Sequence, residues 1–330
     1  MVEVFDIPVQ SQERAARGCV RTRVCVGVLA LVAVLSGCSS SAEECGKLST
    51  RTGLVDYCIN KTDQTKNPDV LYYFHGVALD DHPEPLPQWS RGDARLFSAW
   101  LDAGLARPTF IAVSWGRRWI LKDDKLAAFQ NEIIPQLESK LGISSTARRM
   151  VLGDSLGGLN AFIAWAKAPH LFYSAAFRCP AFTEIGPDAT ESQKLRVAEA
   201  MPSRRADVRD ADVRDKDQEI GENLIWLNGW SLLVKPLFGS TEEWHRFQPP
   251  LMMKSIQGQK LPPAYLINNK HDQFGFNDAP EIAAAGHSIT YEVNNGGHCE
   301  VISTDGLVRF LSDRPLDWIS LLIERIGGRP

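Results

Sequence analysis

Long apolar runs are scarce in this chain of 330 residues. An uninterrupted one extends from Val24 to Leu35, about a dozen residues, whereas a membrane-spanning helix needs about 20. A dominant charge is also missing. Lys and Arg number 36 against 40 Asp and Glu, a formal net charge of −4. No basic patch rises above a mixed surface, so the electrostatic footprint of a nucleic-acid binder is absent. The seven cysteines show no spacing of a zinc site. No glycine-rich dinucleotide or phosphate loop is present. The expectation is a chain with no metal, no cofactor and no nucleic-acid partner.

The run from Val24 to Leu35 has flanks of its own. Arg14, Arg17, Arg21 and Arg23 precede it, and Leu35-Ser36-Gly37-Cys38 follows. A basic segment, a short apolar core and small residues make a signal peptide. Leu-Ser-Gly-Cys resembles the bacterial lipobox. By that resemblance Cys38 becomes the lipidated first residue after cleavage, and the protein is exported and anchored by lipid to the cell envelope. The expected organisation is a signal peptide at 1–37, a lipidated tether at 38–46, and one domain at 47–330, long enough for a sizeable core. Four cysteines remain after Cys38: Cys45, Cys58, Cys179 and Cys299. An even count in an oxidising compartment permits two disulfides in any of three pairings. Cys45–Cys58 would staple the N-terminal segment. Cys179–Cys299 would then tie two loops, with free buried thiols as the alternative for that second pair.

Along the domain, short apolar strands alternate with amphipathic helices. Strands are expected from Arg51 to Lys61 (or a hairpin), Asp69 to Phe74, Thr109 to Val113, Arg149 to Gly153, Tyr173 to Phe177, Ala264 to Asn268 and Ser288 to Val293. Helices are expected from Arg95 to Gly104, with Leu96, Phe97, Trp100 and Leu101 on one face, and from Leu126 to Leu141, Leu156 to Lys167, Pro280 to Ala285, and up to about Ile326. The alternation breaks at about 183–258, read as a helical insert, or cap, rich in Trp and Phe. Those aromatics either pack the insert or line a cleft. The charged repeat Asp207-Val208-Arg209-Asp210 and Asp212-Val213-Arg214-Asp215 reads as a solvated helix or loop. Such alternation argues for an α/β fold with a mostly parallel central sheet and helices on both faces. Right-handed crossovers then bring the strand C-termini, where ligands bind, to one edge.

Met150-Val151-Leu152-Gly153-Asp154-Ser155-Leu156-Gly157-Gly158 reads as strand, sharp turn and helix start. Its G-x-S-x-G spacing is that of a nucleophile elbow, which exposes a serine hydroxyl above the sheet. A serine nucleophile needs a base and an acid to orient that base. His298 follows the last strand on the turn Asn294-Asn295-Gly296-Gly297. Asp272 follows the preceding strand, with Asp278 and Glu300 as fallbacks. The order Ser155, Asp272, His298 is that of α/β-hydrolases. His75-Gly76 ends an earlier strand, so oxyanion donors are expected from the Leu156 N–H and from Gly76 or Val77. Gly-Asp-Ser-Leu also spells the signature of GDSL hydrolases. That family is rejected because the block is mid-chain and none of the seven histidines has an aspartate three residues before it.

Tyr73-Phe74-His75-Gly76, Gly153-Asp154-Ser155-Leu156-Gly157-Gly158, Asp272 and Gly297-His298 together resemble α/β-hydrolases of the esterase D group. That group includes feruloyl esterase-like and siderophore esterase-like enzymes. The resemblance covers roughly residues 50–180 and 260–325, and the insert is unmatched. It implies a serine hydrolase that cleaves carboxylic esters through an acyl-enzyme, with Ser155 as nucleophile, His298 as general base and acid, and Asp272 as orienting acid. Mycolyltransferase-type acyl transfer, peptidase activity and a non-catalytic surface binding lipoprotein are the competing expectations.

Overall fold

Strand β3 (Val70–Phe74) is buried along its whole length, and its side chains alternate between two cores. Tyr72 and Phe74 join one core, and Leu71 and Tyr73 the other. A strand apolar on both faces belongs inside a sheet covered on both sides. The computed structural model, which describes residues 43–65, 67–77, 94–201, 216–272, 278–284, 288–300 and 304–312, has this arrangement. These residues all fall in one compact unit, 41–330.

The sheet has eight strands in the order β1-β2-β4-β3-β5-β6-β7-β8. They are β1 (Glu43–Thr50), β2 (Gly53–Asn60), β3, β4 (Thr109–Ser114), β5 (Arg149–Asp154), β6 (Ser174–Arg178), β7 (Ala264–Asn269) and β8 (Ile289–Asn294). β1 and β2 are antiparallel to each other, β2 is antiparallel to β4, and every later pairing is parallel. The chain steps from β3 out to β4, then crosses back to β5 on the other side of β3. The strand order therefore reverses between β3 and β5, and the crevice above such a switch point is where open α/β sheets bind ligands.

One face is covered by α1 (Ala94–Asp102) and α10 (Asp305–Ser312), which contribute Leu96, Ala99, Trp100, Leu307, Val308 and Leu311. The other carries α2 (Asp123–Ala128), which continues through a π-helical turn (Phe129–Ile133) into α3 (Ile134–Leu141), and α4 (Leu156–Lys167). Between β6 and β7 the described residues form α5 (Glu191–Ala200), α6 (Lys216–Val234), α7 (Thr241–His245) and α8 (Pro249–Ser255), with no strand among them. Helix α9 (Asp278–Ala284) precedes β8. Trp230, Phe238, Trp244 and Phe247 are buried in the same core as Phe162 and Trp165 of α4. They pack the insert onto the sheet layer and do not line a cleft.

Several expectations need correction. The tether expected through residue 46 ends sooner, because β1 already begins at Glu43 and pairs Cys45 with Cys58. The span from Arg51 to Lys61 holds the single strand β2, one of its two expected readings, and the hairpin is made with β1 before it. Leu101 does not share the buried face of α1; it is 78% exposed. Leu96, Ala99 and Trp100 complete the core-facing stripe at i, i+3 and i+4, and Leu101 lies a further residue around the helix. The expected signal peptide, Cys38, the charged repeat at 207–215 and the end of the last expected helix lie outside the described residues.

Candidate active site

Ser155 directly follows β5 and caps the start of α4, with φ 53° and ψ −119°. Non-glycine residues rarely adopt positive φ, and they do so where the surroundings leave no alternative. The neighbouring glycines supply that compulsion. A Cβ on Gly153 would lie 1.9 Å from the Gly157 carbonyl oxygen, and one on Gly157 would lie 2.0 Å from that of Phe74. The strand, the turn and the first turn of α4 are thus in backbone contact with one another and with β3. The segment after β6 brackets the serine. Ser155 N–H donates to the Arg178 carbonyl at 3.1 Å, and Ala181 N–H donates to the Ser155 carbonyl at 2.9 Å.

The three groups expected to act together do meet. His298 Nε2 lies 2.7 Å from Ser155 Oγ, and His298 Nδ1 lies 2.9 Å from Asp272 Oδ1. The consistent tautomer has the serine hydroxyl donating to Nε2 and Nδ1–H donating to the carboxylate. Asp272 is fully buried, and its N–H donates to the Asn269 carbonyl at the end of β7. The turn of His298 is tied down twice from its N-terminal side: Asn269 Nδ2 donates to the Gly297 carbonyl at 2.7 Å, and His271 N–H to that of Gly296 at 3.0 Å. Glu300, a fallback acid, instead accepts from Gly297 N–H at 2.7 Å and closes the turn. Gly76 faces the serine, and a Cβ there would lie 3.1 Å from Ser155 Cβ. Leu156 begins α4, where the first N–H groups point out of the helix end. Val77 is half-buried beside the same core.

Two polar networks escaped the sequence reading. Asp154, beside the serine, is register partner of Arg178 across β5–β6, and Arg178 Nε donates to its Oδ1 at 2.6 Å. Tyr73 Oη donates to Asp154 Oδ2 at 2.8 Å. Arg178 is 1% exposed, and an arginine closing the apolar run Ala175-Ala176-Phe177 was the available signal. The second network holds His75. Its Nε2 accepts from Trp119 Nε1 at 3.1 Å and lies 2.7 Å from Ser114 Oγ, while Nδ1–H donates to the Gly76 carbonyl. Burial pushes the His75 pKa down to about 4, partly opposed by the bond to Gly76. The imidazole is therefore neutral at pH 7 and serves as a brace for the turn that carries Gly76. The expected pairings Cys45–Cys58 and Cys179–Cys299 are both disulfides here.

A family described as Putative esterase matches residues 114–289, more than half of the chain. The chain belongs to this esterase family. The matched span contains Ser155 and Asp272 but stops short of His298, whose assignment to the site therefore rests on the geometry above. No curated protein matches the chain. Among solved structures, a thermostable esterase from Pseudomonas putida is 16% identical, with 83% of this chain and 82% of that one covered at a TM-score of 0.53. Carboxyl esterase 2 from the mycorrhizal fungus Tuber melanosporum is 14% identical over 84% and 87% of the two chains, also at 0.53. An esterase from Pyrobaculum calidifontis is 14% identical over 82% and 83%, at 0.52. At these identities the likeness is one of fold, and the fold is that of α/β-hydrolases. Family membership supports ester hydrolysis as the activity of this esterase-family chain.

Proposed function

We propose that the protein is a serine carboxylic-ester hydrolase working through an acyl-enzyme. The observation that carries this reading is the unbroken line of hydrogen bonds from buried Asp272 through His298 to Ser155, on a serine held at positive φ. Ser155 Oγ attacks the ester carbonyl while its proton passes to His298 Nε2. The Asp272 carboxylate holds Nδ1–H and stabilises the imidazolium that forms. The negative charge on the carbonyl oxygen meets the Leu156 N–H at the start of α4 and an N–H from Gly76 or Val77 across the crevice. Collapse of the tetrahedral intermediate expels the alcohol, which takes the proton from Nε2. Water, deprotonated by the same nitrogen, then attacks the acyl-enzyme and regenerates Ser155.

A fluorophosphonate probe tests this directly. It should label the parent and leave Ser155→Ala unlabelled, and hydrolysis of p-nitrophenyl esters should disappear with the label. Equal labelling of both proteins would reject the assignment. A panel of esters with varied acyl length, aromatic acyl groups included, then reads the substrate class.

The same proposal extends to location. Leu35-Ser36-Gly37-Cys38 supports export and lipidation of Cys38, which would anchor the enzyme to the bacterial cell envelope. Incorporation of an alkyne-tagged fatty acid that persists in Cys38→Ala would refute the anchor.

A further inference from the structure

Among the described residues, three that are not glycine have positive φ: Ser155 at 53°, Cys179 at 39° and Cys299 at 56°. Such backbone is costly for a side-chain-bearing residue and collects where a functional geometry is over-determined. One of the three is the proposed nucleophile. The other two form a disulfide, with Cα atoms 5.3 Å apart across a sequence separation of 120 residues.

Each half of that disulfide sits beside one of the reacting groups. Cys299 directly follows His298. Cys179 lies inside the bracket around Ser155, between Arg178, which accepts the serine N–H, and Ala181, which donates to the serine carbonyl. Its own N–H donates to Ile267 of β7 at 2.8 Å, on the strand that leads to Asp272. Cys179 is thus seated on backbone bonded to the other two elements of the site. His298 stands at the end of Asn294-Asn295-Gly296-Gly297, and two adjacent glycines make that approach pliable. The bonds from Asn269 and His271 hold the turn before His298. The disulfide holds the chain immediately after it.

We propose that the Cys179–Cys299 disulfide is a positioning element that keeps His298 in line with Ser155 and Asp272. This rests on the reading of those three residues as the reacting groups. Reduction by a dithiol transfers two electrons and two protons to the disulfide, giving two thiols while the dithiol closes to its own disulfide. The chain after His298 is then released and the imidazole moves relative to Ser155. A misplacement of about 1 Å in such a constellation costs on the order of 100-fold in rate. Cys45–Cys58 provides an internal control. It joins β1 to β2 at the opposite side of the sheet, away from the strands that carry the site.

The experiment measures kcat and KM on p-nitrophenyl acetate for the parent, Cys45→Ser/Cys58→Ser, Cys179→Ser/Cys299→Ser and Ser155→Ala, each with and without dithiothreitol. Circular dichroism monitors the folded fraction. The expected result is a kcat about 10- to 100-fold lower in Cys179→Ser/Cys299→Ser with KM little changed. Dithiothreitol should impose the same loss on the parent and on Cys45→Ser/Cys58→Ser, reversibly on reoxidation, and none on Cys179→Ser/Cys299→Ser. Adding Asp272→Asn should lower kcat no further than Asp272→Asn alone, because both changes act by misorienting His298. If the double variant does not fold, reduction of the folded parent decides. Unchanged kcat in the folded protein lacking this disulfide, with turnover still dependent on Ser155, overturns the proposal alone. Turnover that survives Ser155→Ala overturns the reading of the site and the proposal with it.

Discussion

Acid should weaken this fold through His75. The buried imidazole has a pKa of about 4 in the folded protein, against about 6.5 in an unfolded chain. Between those values the unfolded chain binds more protons, so stability rises with pH across the window. The contribution is fully present above about pH 6.5 and is lost as pH falls through about 4. One pKa unit corresponds to about 1.4 kcal/mol, so about 2 kcal/mol is lost by pH 5 and about 3 kcal/mol by pH 4. The structural cause is specific. Protonating Nε2 turns the acceptor for Trp119 Nε1–H into a second donor, so two N–H groups then face each other in a buried site. The turn at Gly76 is braced by this ring, so activity should fall reversibly over the same range. Urea unfolding from pH 7 to pH 4 reads the effect as the difference in slope between the parent and His75→Gln, which cannot titrate. The His75 Hε1 resonance, assigned by its absence in that variant, reads the pKa itself. Equal slopes for the two proteins, or a resonance titrating near 6.5, would refute the argument.

Asp272→Asn should lower kcat by about 10⁴-fold with the fold intact, since an asparagine no longer holds the tautomer with Nε2 free; steady-state kinetics check this. Gly157→Ala should cost about 3 kcal/mol in urea unfolding, because its Cβ would sit 2.0 Å from the Phe74 carbonyl oxygen and 2.5 Å from that of His75. Gly229→Ala on the exposed face of α6, with no described atom within 4 Å of the new Cβ, should instead stabilise by about 0.5–1 kcal/mol, and a loss would contradict the helix-propensity argument. Asp154→Ala should destabilise by about 3–5 kcal/mol, because it strands the buried Arg178 charge, and thermal unfolding reads it.

Much of the site was legible from local pattern. An elbow serine needs small neighbours at fixed offsets, and Gly153, Gly157 and Gly158 supply them within one short segment. Asp272 and His298 were found by position, because each follows a strand and parallel strands deliver their ends to one edge. The insert was legible as helical from its lack of strands. Whether its aromatics packed or lined a cleft was not, since both use the same residues. The start of β1 was also hidden. Ser39-Ser40-Ser41-Ala42-Glu43-Glu44 has no large apolar side chain, and its last residues become strand only because β2 is there to pair with them.

The amino-acid sequence by itself determined the alternation of strands and helices, the strained turn at Ser155 and the order of the three proposed reacting groups, since periodicity and steric demand act over a few residues. Only the tertiary structure decided which atoms meet. Asp154 finds Arg178 through β5–β6 register, His75 finds Trp119 across two strand ends, and Cys179 finds Cys299 over 120 residues. Those contacts depend on strand order and register, and no local pattern encodes either.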